Sequence, residues 1–177
     1  MSSDATTGLR IWVLRHAKAA AQGPGGDATR PLTGRGRRQA DAVREHLAAI
    51  AGSGGILPSL VLCSTAARAR ETAERVLPAI ADARLEFEKG LYSLDASGVI
   101  ELIKQIDPEG PLLMVVGHNP TLHELCTILT LQPDSESVEA QGLPTACLVE
   151  LEQVGADDWK QLTPASSRIV SRYVPDR

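Results

Sequence analysis

The sequence predicts an α/β protein, a three-layer sandwich with a mostly parallel central sheet and helices on both faces. Short apolar runs alternate with segments whose apolar residues recur every three or four positions, giving β-α-β-α-β-α-β-α followed by further strands. The run Leu112-Leu113-Met114-Val115-Val116 is apolar throughout, as expected of a parallel strand covered on both faces. Cationic or imidazole side chains stand just beyond three of these runs, where open α/β sheets bind ligands.

A chain of 177 residues is long enough for one sizeable core, and residues 1–177 read as one domain. Residues 1–8 are short, small and polar and read as a flexible tail with no leader peptide. No apolar run reaches membrane-spanning length, so no membrane partner is expected. The formal net charge of −4 leaves no basic footprint for nucleic acid. Cys63, Cys126 and Cys147 are odd in number and widely spaced. They read as core residues of a protein in a reducing cytoplasm, not as a disulfide or a zinc site.

The first strand covers residues 9–14 and stops on Arg15-His16. A Gly- and Pro-rich loop follows, with Gly23, Pro24, Gly25 and Gly26 suggesting a mobile segment bordering a site. Lys18 and Asp27 read as solvated loop charges, and Arg30 as a candidate to meet substrate. Thr33 reads as the N-cap of a helix carrying Ala40, Val43, Leu47 and Ile50 to about residue 51.

A second strand covers 60–63, and Ser64 is read as the cap of the next helix, with Ala69, Ala73, Val76, Leu77 and Ile80 inward. Arg68 lies in that helix's first turn, where free N–H groups already favour an anion. Arg70 and Arg75 read as solvated. A weaker strand at 85–88 precedes a helix capped by Asp95, with Val99, Leu102, Ile103 and Ile106 as its apolar face. The strand at 112–116 ends in Gly117-His118-Asn119-Pro120, and Pro120 suits the first turn of a helix carrying Leu122, Leu125, Ile128 and Leu129. His46 falls on a polar helix face and His123 reads as structural. The polar segment 133–144 reads as a long loop, 146–151 and 159–162 as a hairpin turning at Gly155-Ala156-Asp157, and 164–177 as a tail.

Arg15, His16, Arg68 and His118 thus converge on one end of the sheet. Two arginines and two imidazoles there make a phosphate pocket with a nucleophile inside it, a conjunction far more specific than an isolated Arg-His pair.

The blocks LRHAKA at 14–19, RPLTGRGRRQA at 30–40, CSTAARARETAE at 63–74 and VGHNP at 116–120 resemble the histidine phosphatase superfamily, and the RPLT stretch its small SixA-like phosphohistidine phosphatase branch. The resemblance implies a phosphoglycerate mutase-like fold, no cofactor and a phosphohistidine intermediate. By matching position, His16 is the nucleophile, Arg15 and Arg68 bind phosphate, and His118 is the histidine of the C-terminal block. Physically, a neutral imidazole attacks phosphorus in line, while Arg15, Arg68 and a protonated His118 hold the oxygens, with no metal required.

Two positions depart from the family pattern. Ala17 replaces the usual glycine after the nucleophile and serves if only small size is needed. Glu88 lies about where many members place a proton-donating carboxylate, but it also reads as a solvated strand-end glutamate. An alkoxide leaving group needs an acid, whereas the imidazole of phosphohistidine leaves more readily. The leading reading is a phosphatase for a phosphorylated protein histidine. The alternatives are a phosphatase for small phosphorylated metabolites with Glu88 as acid, and a non-catalytic phosphate- or partner-binding module.

Overall fold

In a computed structural model of the chain, residues 8–106, 108–131 and 138–176 are described. Residues 1–7 and 132–137, which carry most of the expected tail and part of the expected loop, lie outside them.

Six strands form one sheet, β1 (Arg10–Arg15), β2 (Leu60–Ser64), β3 (Arg84–Glu88), β4 (Leu112–Gly117), β5 (Leu148–Gln153) and β6 (Ser167–Tyr173), in the order β3-β2-β4-β1-β5-β6. The first four in that order run parallel, and β5 and β6 add on antiparallel. The helices are α1 (Gly34–Gly52), α2 (Ala67–Val76), α3 (Gly90–Ser93), α4 (Ala96–Gln105), α5 (Thr121–Leu129) and α6 (Val138–Gln141).

Strand alternation divides the core into two layers. Ile11, Val13, Leu113 and Val115 face the layer of Val99, Ile103, Leu122 and Leu125 from α4 and α5. Trp12, Leu14, Met114 and Val116 face Ala40, Val43 and Leu47 of α1 and Ala69, Ala73 and Val76 of α2. Every residue of β4 is buried, as its unbroken apolar run requires.

Chain direction follows from this arrangement. β1 connects through α1 to β2, passing over β4, and α4 brings the chain back between them. The C-terminal ends of β1, β4 and β2 therefore lie side by side at a switch in connection direction, where such sheets bind ligands.

The caps at Thr33 and Asp95 form as expected, accepting from Gly36 N and Gly98 N. Ser64 does not cap: it is the last residue of β2, and Ala66 stands at the N-cap of α2. Of the expected loop, Val138–Gln141 forms a helical turn.

The late hairpin is also corrected. Its second strand is Ser167–Tyr173, within the expected tail, and Trp159–Gln161 is a 3-10 turn. Trp159 and Leu162 are three residues apart, which one 3-10 turn stacks on the same side, and both are buried against the α4 layer. β6 is an edge strand with an irregularity opposite Glu150/Leu151, so only Ser167 among its residues is buried and no apolar run marks it.

Candidate active site

The ladder between β1 and β4 pairs Arg15 with Gly117, and His16 N continues it by donating to Gly117 O at 3.0 Å. The two chains thus deliver His16 and His118 next to each other, with ring centroids 5.0 Å apart and planes tilted by 55°. α2 brings in Arg68 from the third strand end. Thr72, one turn further along α2, ties these parts together: its hydroxyl donates to Arg68 O at 2.7 Å and accepts from Ala17 N at 3.1 Å. Ala17 is fully buried and is not among the residues with positive φ, so small size is what its position demands.

Hydrogen bonding sets the tautomer of His16. Its Nδ1 lies 2.7 Å from the carbonyl oxygen of Ala17, which can only accept, so Nδ1 carries the proton. Nε2 keeps its lone pair and receives the Nε–H of Arg68 at 3.3 Å. Burial, then the charges of Arg68, Arg15 and Arg30, push the His16 pKa down to about 4 against the pull of the Ala17 bond. His118 is pushed down to about 3 by burial, then by His16 and Arg68. Both rings are therefore neutral near pH 7 in the free protein. A bound phosphate dianion would move that balance toward the charged ring.

Behind the site, Leu143 O accepts from Arg15 Nη1 at 2.8 Å and from Asn119 Nδ2 at 3.0 Å. Ala146, at φ 60°, closes onto the β1 end by donating to the carbonyls of Arg15 and His16. Arg15 Nε, His118 Nδ1 and Asn119 Oδ1 are buried without a hydrogen-bond partner. An oxyanion beside His16 would satisfy the arginine donor.

Arg15, His16, Arg68 and His118 lie near one another at this end of the sheet. Arg30 reaches the rim, donating to Ala20 O at 2.6 Å and to Asp27 Oδ1 at 2.8 Å. Glu88 pairs in register with Ser64 at the strand ends, and its Oε1 accepts from Gly90 N at 2.8 Å.

Three participants were missed. Ser64 Oγ lies 2.7 Å from His118 Nε2. Asp27, expected to be a solvated charge, contacts Arg68, Arg30 and Tyr92. Tyr92 sets its ring edge-on to His118, with centroids 5.8 Å apart. The glycine cluster before Asp27 was the one available signal, because it marks a loop able to fold back on the sheet. The three cysteines are free and buried, as expected.

The family model of the histidine phosphatase superfamily (branch 1) matches residues 11–97. An uncharacterized protein of Mycobacterium tuberculosis is 32% identical over 168 residues, which cover 92% of this chain and 99% of that protein. A SixA structure from Agrobacterium tumefaciens superposes with a TM-score of 0.75 at 28% identity, over 95% of this chain and 99% of that one. The chain belongs to the histidine phosphatase superfamily.

Within that superfamily its fold is SixA-like. A SixA from Nakamurella multipartitia gives a TM-score of 0.78 at 24% identity, over 95% of this chain and 96% of that one. The protein histidine phosphatase SixA in complex with tungstate gives 0.70 at 19% identity, over 94% and 97%. The superfamily assignment makes the protein a phosphatase of phosphoglycerate mutase-like α/β fold.

Proposed function

We propose that this histidine phosphatase acts on protein phosphohistidine, carrying the phosphoryl group transiently on Nε2 of His16 and using no metal ion. The observation that supports this best is the His16 geometry. The Nδ1 proton is committed to Ala17 O, while the lone pair of Nε2 faces the site and accepts the Nε–H of Arg68. In the first step the Nε2–P bond forms as the bond from phosphorus to the substrate nitrogen breaks, and the departing imidazole takes a proton from solvent water. Water then attacks phosphorus and the Nε2–P bond breaks, returning neutral His16 and inorganic phosphate. Arg15 and Arg68 meet the charge on the oxygens, and His118 joins them on protonation, in the role that a divalent cation has in other phosphoryl transfers.

The leaving group argues for the phosphoramidate. Hydrogen bonds from Arg30, Tyr92 and Arg68 hold the Asp27 carboxyl well below the usual carboxylate range, so it has no proton to give near neutral pH. Glu88 is engaged with the start of α3. A substrate that needs little acid suits such a site. The whole chain then acts as one histidine phosphatase domain. A cytoplasmic setting agrees with its three buried, unpaired cysteines.

A second reading, a phosphatase for small phosphomonoesters, is favoured by one feature: Glu88 ends its strand level with Ser64, which touches His118. The ratio of kcat/KM for a phosphohistidine peptide to that for an aryl phosphate, measured in chelator, decides between them. A strong preference for the peptide is expected. A preference for the monoester would instead assign the metabolite reading and give Glu88 the acid role.

A further inference from the structure

The glycine-rich loop enters the site through one side chain that the transfer steps above leave unused. Asp27 follows Gly26, whose φ of 93° turns the loop back toward the sheet. The turn is tight, since a Cβ on Gly23 would lie 2.5 Å from Arg30 N. Asp27 then grips Arg68 twice, its backbone oxygen accepting from Nη1 at 2.8 Å and its Oδ2 from Nη2 at 3.0 Å. The same carboxylate is held from two further sides, by the Tyr92 hydroxyl at 2.8 Å and by Arg30 Nη1 at 2.8 Å.

A guanidinium has five N–H groups in a rigid plane. Asp27 engages one on each terminal nitrogen, and the Nε–H faces His16 Nε2. One edge of the plane is thereby anchored to the loop, and the plane cannot turn about the arginine stem without breaking both bonds. The anchored edge is the one away from the reacting nitrogen. Both residues of this pair lie at the site, but only Arg68 is buried, whereas the Asp27 side chain is half exposed and meets solvent.

We propose that Asp27 is a positioning residue that holds the far edge of the Arg68 guanidinium so that its Nε edge meets the phosphoryl group during transfer to His16. The proposal rests on the reading of His16 as phosphate carrier. The glycine-rich loop becomes part of the transfer apparatus, and Arg30 acts at second hand by holding Asp27. A carboxylate that competed with phosphate for Arg68 would behave in the opposite way when removed.

The test compares wild-type protein with Asp27→Ala and the near-isosteric Asp27→Asn. The readouts are rapid-quench phosphoenzyme formation from a phosphohistidine peptide, steady-state kcat and KM, and thermal melting. Misplacing a group at the reacting centre costs up to about a hundredfold, so Asp27→Ala is expected to slow phosphorylation and kcat by roughly ten- to a hundredfold, with KM within about threefold. Asp27→Asn keeps the backbone acceptor and one side-chain acceptor, and is expected to recover part of that loss. A phosphoenzyme that forms equally fast in wild type and Asp27→Ala overturns the positioning role alone. So does a gain in kcat/KM, which would mark Asp27 as a competitor for Arg68. Equal losses in both variants that track melting temperature overturn it as well. Failure of wild type to label His16 overturns the carrier reading itself, and this proposal with it.

Discussion

Arg68 donates its Nε–H to Nε2 of His16 across 3.3 Å, although 52 residues separate them in the chain. No carboxylate or second imidazole bonds that nitrogen among the described residues. The Arg68 N–H therefore marks the direction from which phosphorus must approach, and the same N–H is in place to receive an oxygen of the arriving group.

Replacing His16 with Ala is expected to abolish the acid-quenched phosphoenzyme and turnover together, read by phosphate release and by intact mass. A binding module would keep its affinity for phosphate or tungstate and lose nothing else. Turnover near the wild-type rate in this variant would sink the catalytic assignment. Arg68→Ala should cost roughly 2–4 kcal/mol of transition-state stabilisation, seen mainly in kcat.

The two site histidines predict a pH dependence with a definite sign. Their folded pKa values, about 4 for His16 and about 3 for His118, lie below the ordinary 6.5. Between those limits the unfolded chain binds more protons than the folded one, so stability rises with pH across that window. The contribution is complete above about pH 6.5 and is lost as pH falls through about 4 for His16 and about 3 for His118. Urea midpoints at pH 7 and pH 4.5 should fall in that order, and the imidazole NMR signals of both rings should show no midpoint near 6.5. Binding of sulfate, already a dianion near pH 6, should take up protons, measurable by calorimetry in two buffers of different ionisation enthalpy.

Glu88→Gln separates the two substrate readings at one residue. Glutamine keeps an oxygen to accept from Gly90 N, so folding should be unaffected. The variant is expected to lose aryl phosphate hydrolysis to a greater extent than phosphohistidine hydrolysis. Equal losses on both substrates would contradict the leaving-group account.

Gly36, in the first turn of α1, packs directly on the loop that follows His16. A Cβ there would lie 2.1 Å from the carbonyl oxygen of Lys18, a backbone atom with no rotamer to yield. Gly36→Ala should therefore destabilise by about 1–3 kcal/mol in denaturant melts and lower kcat together with stability. Gly52→Ala, where a Cβ meets nothing within 4 Å, is the control and should be close to neutral.

What the sequence determined by itself was the frame and the four groups attached directly to it. Arg15, His16 and His118 sit at or just past the ends of the apolar runs that become β1 and β4, and Arg68 sits in the first turn of a helix begun by such a run. Buried strands and amphipathic helices leave a local trace, because solvent exclusion acts on neighbouring residues. The residues that fine-tune the site leave no such trace. Asp27 meets Arg68 across 41 residues and Tyr92 across 65, and Leu143 O reaches Arg15 across 128. β6 escaped notice for a related reason, since an exposed edge strand needs no apolar run and is set by its partner's backbone. The protonation of His118 likewise depends on burial and on groups from other segments, among them His16, Arg68 and Arg15. Loop placement, edge pairing and local electrostatics come from contacts between distant segments, so only the tertiary structure decided them.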